Sequence, residues 1–226
     1  MVPRLAWVSV ETSSLLADAL LFDMDGTLVD STWAVEDAWA QWALEYEVPA
    51  ERLAGVMGHG IPAGQIAERL LPRAQVPEAV ARIERLEIDR VAGLVVLPGV
   101  RELVATLDDG VWAVVTSCTR PLAEARLRAT GLSAPVLVTA DDVSRGKPDP
   151  EPFVLGARML GVPASRCVVF EDAPAGLAAG RAAGAATVGV ATTHVDSELD
   201  ADVVVPGLCS VEVWSEGGGL RVRAGG

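Results

Sequence analysis

Two pairs of acids carry the sharpest chemical signal in this chain of 226 residues. Asp23 and Asp25, in Asp23-Met24-Asp25-Gly26-Thr27, follow directly on the apolar run Ala19-Leu20-Leu21-Phe22, and Glu171 and Asp172 follow Cys167-Val168-Val169-Phe170. Acids at the end of a buried strand are costly unless something cationic joins them. A hard cation bound by carboxylate oxygens fits both strand ends. Between the pairs lie two segments suited to phosphate. Thr116-Ser117-Cys118-Thr119 follows the run 111–115, where hydroxyls and backbone N–H groups at a strand-to-helix turn can meet phosphate oxygens. Lys147, in Arg145-Gly146-Lys147-Pro148-Asp149-Pro150, adds a point charge. It is the single lysine among 18 basic residues, and the chain has no Asn. Where the composition otherwise writes cations as Arg, the surviving Lys points to a position that needs a compact ammonium.

These residues need a scaffold that gathers strand ends. The apolar runs at 19–22, 111–115, 136–138, 167–170, 187–190 and 203–205 are continuous rather than alternating, as in strands buried on both faces of a parallel sheet. Helix-like segments at 101–107, 121–130, 151–160 and 175–183 separate them, three ending at Gly131, Gly161 and Gly184. Strand and helix alternate, so the expected core is a doubly wound α/β sheet. Residues 33–97 break the rhythm with helix-like sequence throughout, which makes them an inserted helical cap over the carboxyl end of the first strand. The core is then 18–32 and 98–215, preceded by an N-terminal extension, 1–17, and followed by a Gly-rich tail, 216–226, expected to fray.

A formal net charge of −13 with no basic stripe argues against nucleic acid and anionic membranes as partners. No apolar stretch approaches the ~20 residues that a spanning helix requires, and the opening does not read as a signal peptide. The three cysteines, Cys118, Cys167 and Cys209, form neither a disulfide framework nor zinc-ligand spacing, so a reducing cytoplasm is the expected setting.

In order and spacing, the segments DMDGT, VVTS, GKPDP and FEDAPAG resemble the four motifs of the haloacid dehalogenase-like hydrolase superfamily. The resemblance spans about 19–209 and is strongest to the bacterial sugar phosphatases, with glycerol-phosphate and 2-deoxyglucose-phosphate phosphatases as near relatives. It implies a Rossmann-like core with an inserted helical cap, acting on a small phosphorylated metabolite, with a monomer sufficient. Asp23 would be the nucleophile and Asp25 the acid and base. Asp23, Asp25 (through its main-chain oxygen) and Asp172 would hold Mg²⁺, with Glu171 holding the ion's hydration. Ser117, Cys118 (through its backbone N–H) and Lys147 would grip the phosphoryl group. Relatives more often have Gly or another small residue where Cys118 stands, and its thiol would make the protein oxidation-sensitive. In the cap, His59 of Gly58-His59-Gly60-Ile61-Pro62 would meet the substrate. Trp33, Trp39 and Trp42 read as cap core, with Trp33 also able to wall the pocket.

Two rivals stand beside a phosphatase. A phosphosugar mutase of the β-phosphoglucomutase type shares the core motifs but carries a cap-linker His where this chain has Val35, a departure that favours hydrolysis. A catalytically silent binding protein would use the cap as an interaction surface, although no motif residue is missing.

Overall fold

The computed structural model describes residues 13–58 and 61–225. Along the chain it forms β1 (Ser13–Ala17), β2 (Ala19–Phe22), β3 (Val29–Asp30), α1 (Thr32–Glu45), α2 (Ala50–Ala54), α3 (Ala63–Leu70), α4 (Val76–Ile88), β4 (Val95–Val96) and α5 (Val100–Val104). There follow β5 (Trp112–Val115), α6 (Arg120–Thr130), β6 (Leu137–Val138), α7 (Glu151–Met159), β7 (Cys167–Glu171), α8 (Pro174–Ala182), β8 (Ala186–Val190), β9 (Val203–Val205), β10 (Val211–Glu216) and β11 (Gly219–Ala224).

The six apolar runs become one parallel sheet ordered β6-β5-β2-β7-β8-β9. Every residue of β2, β5 and β7 is buried, which explains why these segments are apolar without alternation. Phe22 stacks on Phe170 with ring centroids 4.7 Å apart, locking β2 against β7. From β2 the chain builds β5 and β6 on one side, then returns to lay β7, β8 and β9 on the other. Such a reversal opens a crevice at the carboxyl ends of the strands, where open α/β sheets take ligands.

Helices α1–α4 form a second, smaller body. Trp39, Trp42, Leu53, Ile66, Ile83 and Leu86 belong to a hydrophobic cluster confined to these helices and the loops between them. The Trp42 ring N–H donates to the Ala79 carbonyl at 2.9 Å, tying α1 to α4 and pairing the buried indole donor. The stems entering and leaving this insertion pair as a short antiparallel ribbon, Val29 with Val96 and Asp30 with Val95.

Both chain ends differ from the expectation. Residues 13–17 are not an extension but a strand, paired antiparallel with β11, which pairs in turn with β10. The tail does not fray: Leu220, Val222 and Ala224 are buried in the main core. The turn between β10 and β11 places Gly217 and Gly218 at φ +62° and +86°, the left-handed pair a two-residue hairpin needs. Residues 1–12 lie outside the described residues.

Candidate active site

Asp23 stands one residue beyond β2, where its N–H continues the ladder to the Phe170 carbonyl at 2.9 Å. This parallel pairing sets Asp23 beside Glu171 and Asp172 at the end of β7. One carboxylate oxygen from each of these three buried residues lies within 4.8 Å of the other two. Lys147 enters from the loop before α7, only 6% exposed. Its Nζ contacts Asp23 Oδ1 at 2.6 Å and Glu171 Oε1 at 2.7 Å, and donates to the Val115 carbonyl at 2.9 Å. A guanidinium fork is longer and planar, whereas these three acceptors converge on one point, as the lone lysine of the sequence implied.

Three carboxylates share this one ammonium. Burial, partly offset by Lys147, pushes Asp23 well above the usual carboxylate range. Burial, and then the charge of Glu171, lifts Asp172 to about 7. Burial also works against the charge on Lys147, but Asp23 and Glu171 outweigh it and hold its pKa above that of an ordinary lysine. A buried acidic group with too little positive charge, offering oxygen donors only, suits a hard divalent cation. Both Glu171 oxygens are engaged, Oε1 by Lys147 and Oε2 by the Ala173 N–H at 2.9 Å. Asp23, Glu171 and Asp172 each offer one oxygen to that cluster. Thr27 donates to Asp172 Oδ1 at 3.3 Å, and Thr193 donates to its other oxygen. Gly26, at φ +85°, makes room for that carboxylate, since a Cβ there would overlap Asp172 Oδ2.

Asp25 occupies a separate setting. Its Oδ2 meets Arg126 Nη1 at 2.6 Å and the Cys118 thiol at 3.2 Å, while its Oδ1 is buried without a hydrogen-bond partner. Arg126, on α6 and 3% exposed, also reaches Glu87 of α4, Nη2 to Oε2 at 2.9 Å. Burial raises Glu87 to about 7 against the pull of Arg126. One turn earlier on α4, Glu84 accepts a hydrogen bond from Thr119. Removing one partner of a buried ion pair typically costs about 3–5 kcal/mol.

The two charge groups border one cavity of about 280 Å³, lined by Asp23, Asp25, Ser117, Cys118, Lys147 and Asp172 from the core and by Val35, Trp39, Ile61, Ile83, Glu84 and Glu87 from the insertion. Every core residue nominated from sequence thus meets at one place. The cap residues fare differently. His59 lies outside the described residues. Trp33 is 60% exposed and packs its ring against Gly93, away from the cavity, and Trp39 on the same helix lines the wall instead. Burial pushes the Cys118 thiol well up, which lowers the share of the reactive thiolate. The Cys118 N–H donates to the Thr116 hydroxyl at 3.1 Å.

Sequence reading missed Arg126, Glu84, Glu87 and Thr193. Arg126 carried a signal: it falls four residues after Leu122 and three after Ala123, on the buried stripe of α6, where a charge needs partners. Glu87 likewise sits four residues after buried Ile83.

The chain belongs to the haloacid dehalogenase-like hydrolase family, whose family model matches residues 17–184. Among curated relatives it is 39% identical over 206 residues to hexitol phosphatase A of Escherichia coli (strain K12), covering 88% of this chain and 95% of that one. It is 35% identical over 216 residues to glycerol-1-phosphate phosphohydrolase 2 of Saccharomyces cerevisiae, covering 88% and 86%. Its fold is similar to the crystal structure of a hydrolase from Pseudomonas syringae, at TM-score 0.74 and 29% identity, covering 83% and 92%.

Proposed function

We propose that this chain is a Mg²⁺-dependent phosphatase for small phosphate monoesters of sugars, sugar alcohols or glycerol, with Asp23 as nucleophile. The observation that carries this reading is the convergence of Asp23, Lys147, Glu171 and Asp172 from three distant segments, on a cavity that Asp25 also lines. The Asp23 carboxylate attacks phosphorus as the bond to the leaving alcohol breaks, and Asp25 gives that alcohol its proton. Asp25, now a carboxylate, takes a proton from the water that attacks the aspartyl-phosphate. The bond to Asp23 then breaks and inorganic phosphate leaves. Ser117, Lys147 and the turn at Cys118 hold the phosphoryl oxygens as charge spreads over them. Asp23, Asp172 and the main-chain oxygen of Asp25 would hold Mg²⁺, which would supply the positive charge that lets a carboxylate approach a phosphate dianion.

The cavity wall supports a neutral, hydroxylated leaving group. Trp39, Ile61 and Ile83 offer apolar surface, and Glu84 and Glu87 offer acceptors for hydroxyls. Lys147 and Arg126 are already paired with carboxylates, so among the described lining residues a second acid on the substrate would find no unpaired cation. Val35 lines the cavity without a group able to hydrogen-bond Asp25, which favours hydrolysis over mutase chemistry.

The test is phosphate release from hexitol, hexose, deoxyhexose, glycerol, glycolate and nucleotide monophosphates, with Mg²⁺ or with EDTA. Turnover of the neutral polyol and sugar esters is expected with Mg²⁺, and Asp23→Asn should lose it by about four orders of magnitude. Full turnover in Asp23→Asn, or in EDTA, would sink the mechanism.

A further inference from the structure

The loop that follows β8 reaches back over the strand-end group. Ala191 still belongs to the sheet, its N–H donating to the Val205 carbonyl at 2.8 Å. The next three residues turn to the two loops that carry the acids. Thr192 donates to the Gly26 carbonyl, one residue after Asp25, and Thr193 donates to Asp172 Oδ2. His194 Nδ1 lies 2.9 Å from the Asp172 carbonyl and 3.0 Å from Thr193 Oγ1. A carbonyl can only accept, so Nδ1 carries the proton. A hydroxyl has one proton to give, and that of Thr193 goes to the carboxylate, because its other acceptor, the Asp172 carbonyl, is farther away at 3.3 Å.

The two oxygens of Asp172 are therefore held unequally. Oδ2 is gripped by Thr193 and lies against the backbone of Gly26, where a Cβ would come within 2.3 Å of it. Oδ1 has the Thr27 hydroxyl, at 3.3 Å. A carboxylate with one oxygen so engaged presents the other, and it cannot turn to offer both without breaking the bond to Thr193.

We propose that Thr193 is the positioning residue for Asp172, and that by occupying Oδ2 it restricts this carboxylate to a single bond with a cation. The restriction selects Mg²⁺, which demands near-octahedral geometry, over Ca²⁺, which readily takes both oxygens of one carboxylate. The acids alone, as hard oxygen donors, suit either ion. Thr192, bonded to the Gly26 carbonyl, fixes the backbone that walls Oδ2 and so supports the same arrangement. The inference rests on the metal-binding part of the phosphatase reading above.

Metal binding can be followed without turnover. The experiment titrates the wild type, Thr193→Ser, Thr193→Val and Thr193→Ala calorimetrically with Mg²⁺ and, separately, with Ca²⁺, with thermal melts of the metal-free proteins alongside. Thr193→Val should lose Mg²⁺ affinity by roughly 10–100-fold, as loss of a ligand's support does, while Ca²⁺ affinity changes by less than about threefold. Thr193→Ser keeps the hydroxyl and should stay within about threefold of the wild type for both ions. Thr193→Val leaves Oδ2 without its donor and is the variant at risk of misfolding, so Thr193→Ala, which leaves room for water there, must show the same pattern. Equal losses for both ions would make Thr193 a structural support and overturn the proposal. So would unchanged Mg²⁺ affinity in Thr193→Val and Thr193→Ala, a Thr193→Ser as weak as Thr193→Val, or a wild type that binds Ca²⁺ as tightly as Mg²⁺, each leaving the phosphatase standing. A wild type that binds neither ion would remove both.

Discussion

Two charge groups face each other across the cavity, and they are held in different ways. Asp23, Lys147, Glu171 and Asp172 stand on strand ends and adjoining loops of one rigid sheet, so the ladder from β2 to β7 fixes their spacing whether or not the insertion is docked. Asp25 and Arg126 pair within the core, and Glu87, bonded to Arg126, and Glu84, bonded to Thr119, join them where the insertion touches it. The first group carries too much negative charge and calls for a metal. In the second, Arg126 is shared between two acids and couples two bodies. On the proposed reading, phosphoryl transfer belongs to the sheet end, and Arg126 ties Asp25 to the insertion at the junction.

The comparison can be broken most severely at Gly26. Its φ of +85° and the space it leaves for Asp172 both disappear in Gly26→Ala. The left-handed backbone alone costs on the order of 1–3 kcal/mol in a residue with a Cβ. Displacing Asp172 should lower Mg²⁺ affinity by roughly 10–100-fold, as disturbed supports of metal ligands do. Isothermal titration with Mg²⁺ checks this, and affinity equal to that of the wild type would mean that the sheet end is less constrained than its geometry implies. The junction group should be spared, so the bond between Arg126 and Glu87 would persist in that variant.

A gentler probe uses pH. Asp172 moves from an ordinary 3.8 to about 7 on folding, because burial and Glu171 disfavour its charge. Its folded form therefore holds a proton that the unfolded chain has released. This stabilising contribution is fully present below 3.8 and is lost as pH rises through about 7. Asp23 shifts in the same direction. A metal needs the deprotonated acids, so the gain in melting temperature on adding Mg²⁺ should be small near about pH 5.5 and several degrees larger near about pH 8. An equal gain at both values would contradict the account of the strand-end group.

The same contrast governs what could be read from the sequence. The strand-end group was legible because each member sits just after a continuous apolar run or in a Pro- and Gly-rich turn, so local pattern located it and parallel pairing assembled it. Apart from Asp25, the residues of the junction group lie inside helices, where a charge is usually a solvated face. Only the phase of Arg126 and Glu87 against their buried neighbours marked them, and phase does not say which distant helix will supply the partner. Trp33 and Trp39 make the same point: six residues apart on α1, one faces away from the cavity and the other walls it, a choice set by how the insertion packs. At the chain ends, Leu220, Val222 and Ala224 alternate in a way that marks a strand, but the neighbouring glycines masked it.

The central claim is that phosphate passes through Asp23. The most direct measurement mixes enzyme, Mg²⁺ and the best ester of the panel under single-turnover conditions, quenches in acid within milliseconds, and maps the peptides by mass spectrometry. The expected result is one phosphoryl group on the peptide bearing Asp23, rising and then decaying as free phosphate appears, and absent in Asp23→Asn. Phosphate release with no phosphoryl group on the protein at any time, or with the group on another residue, would contradict the account.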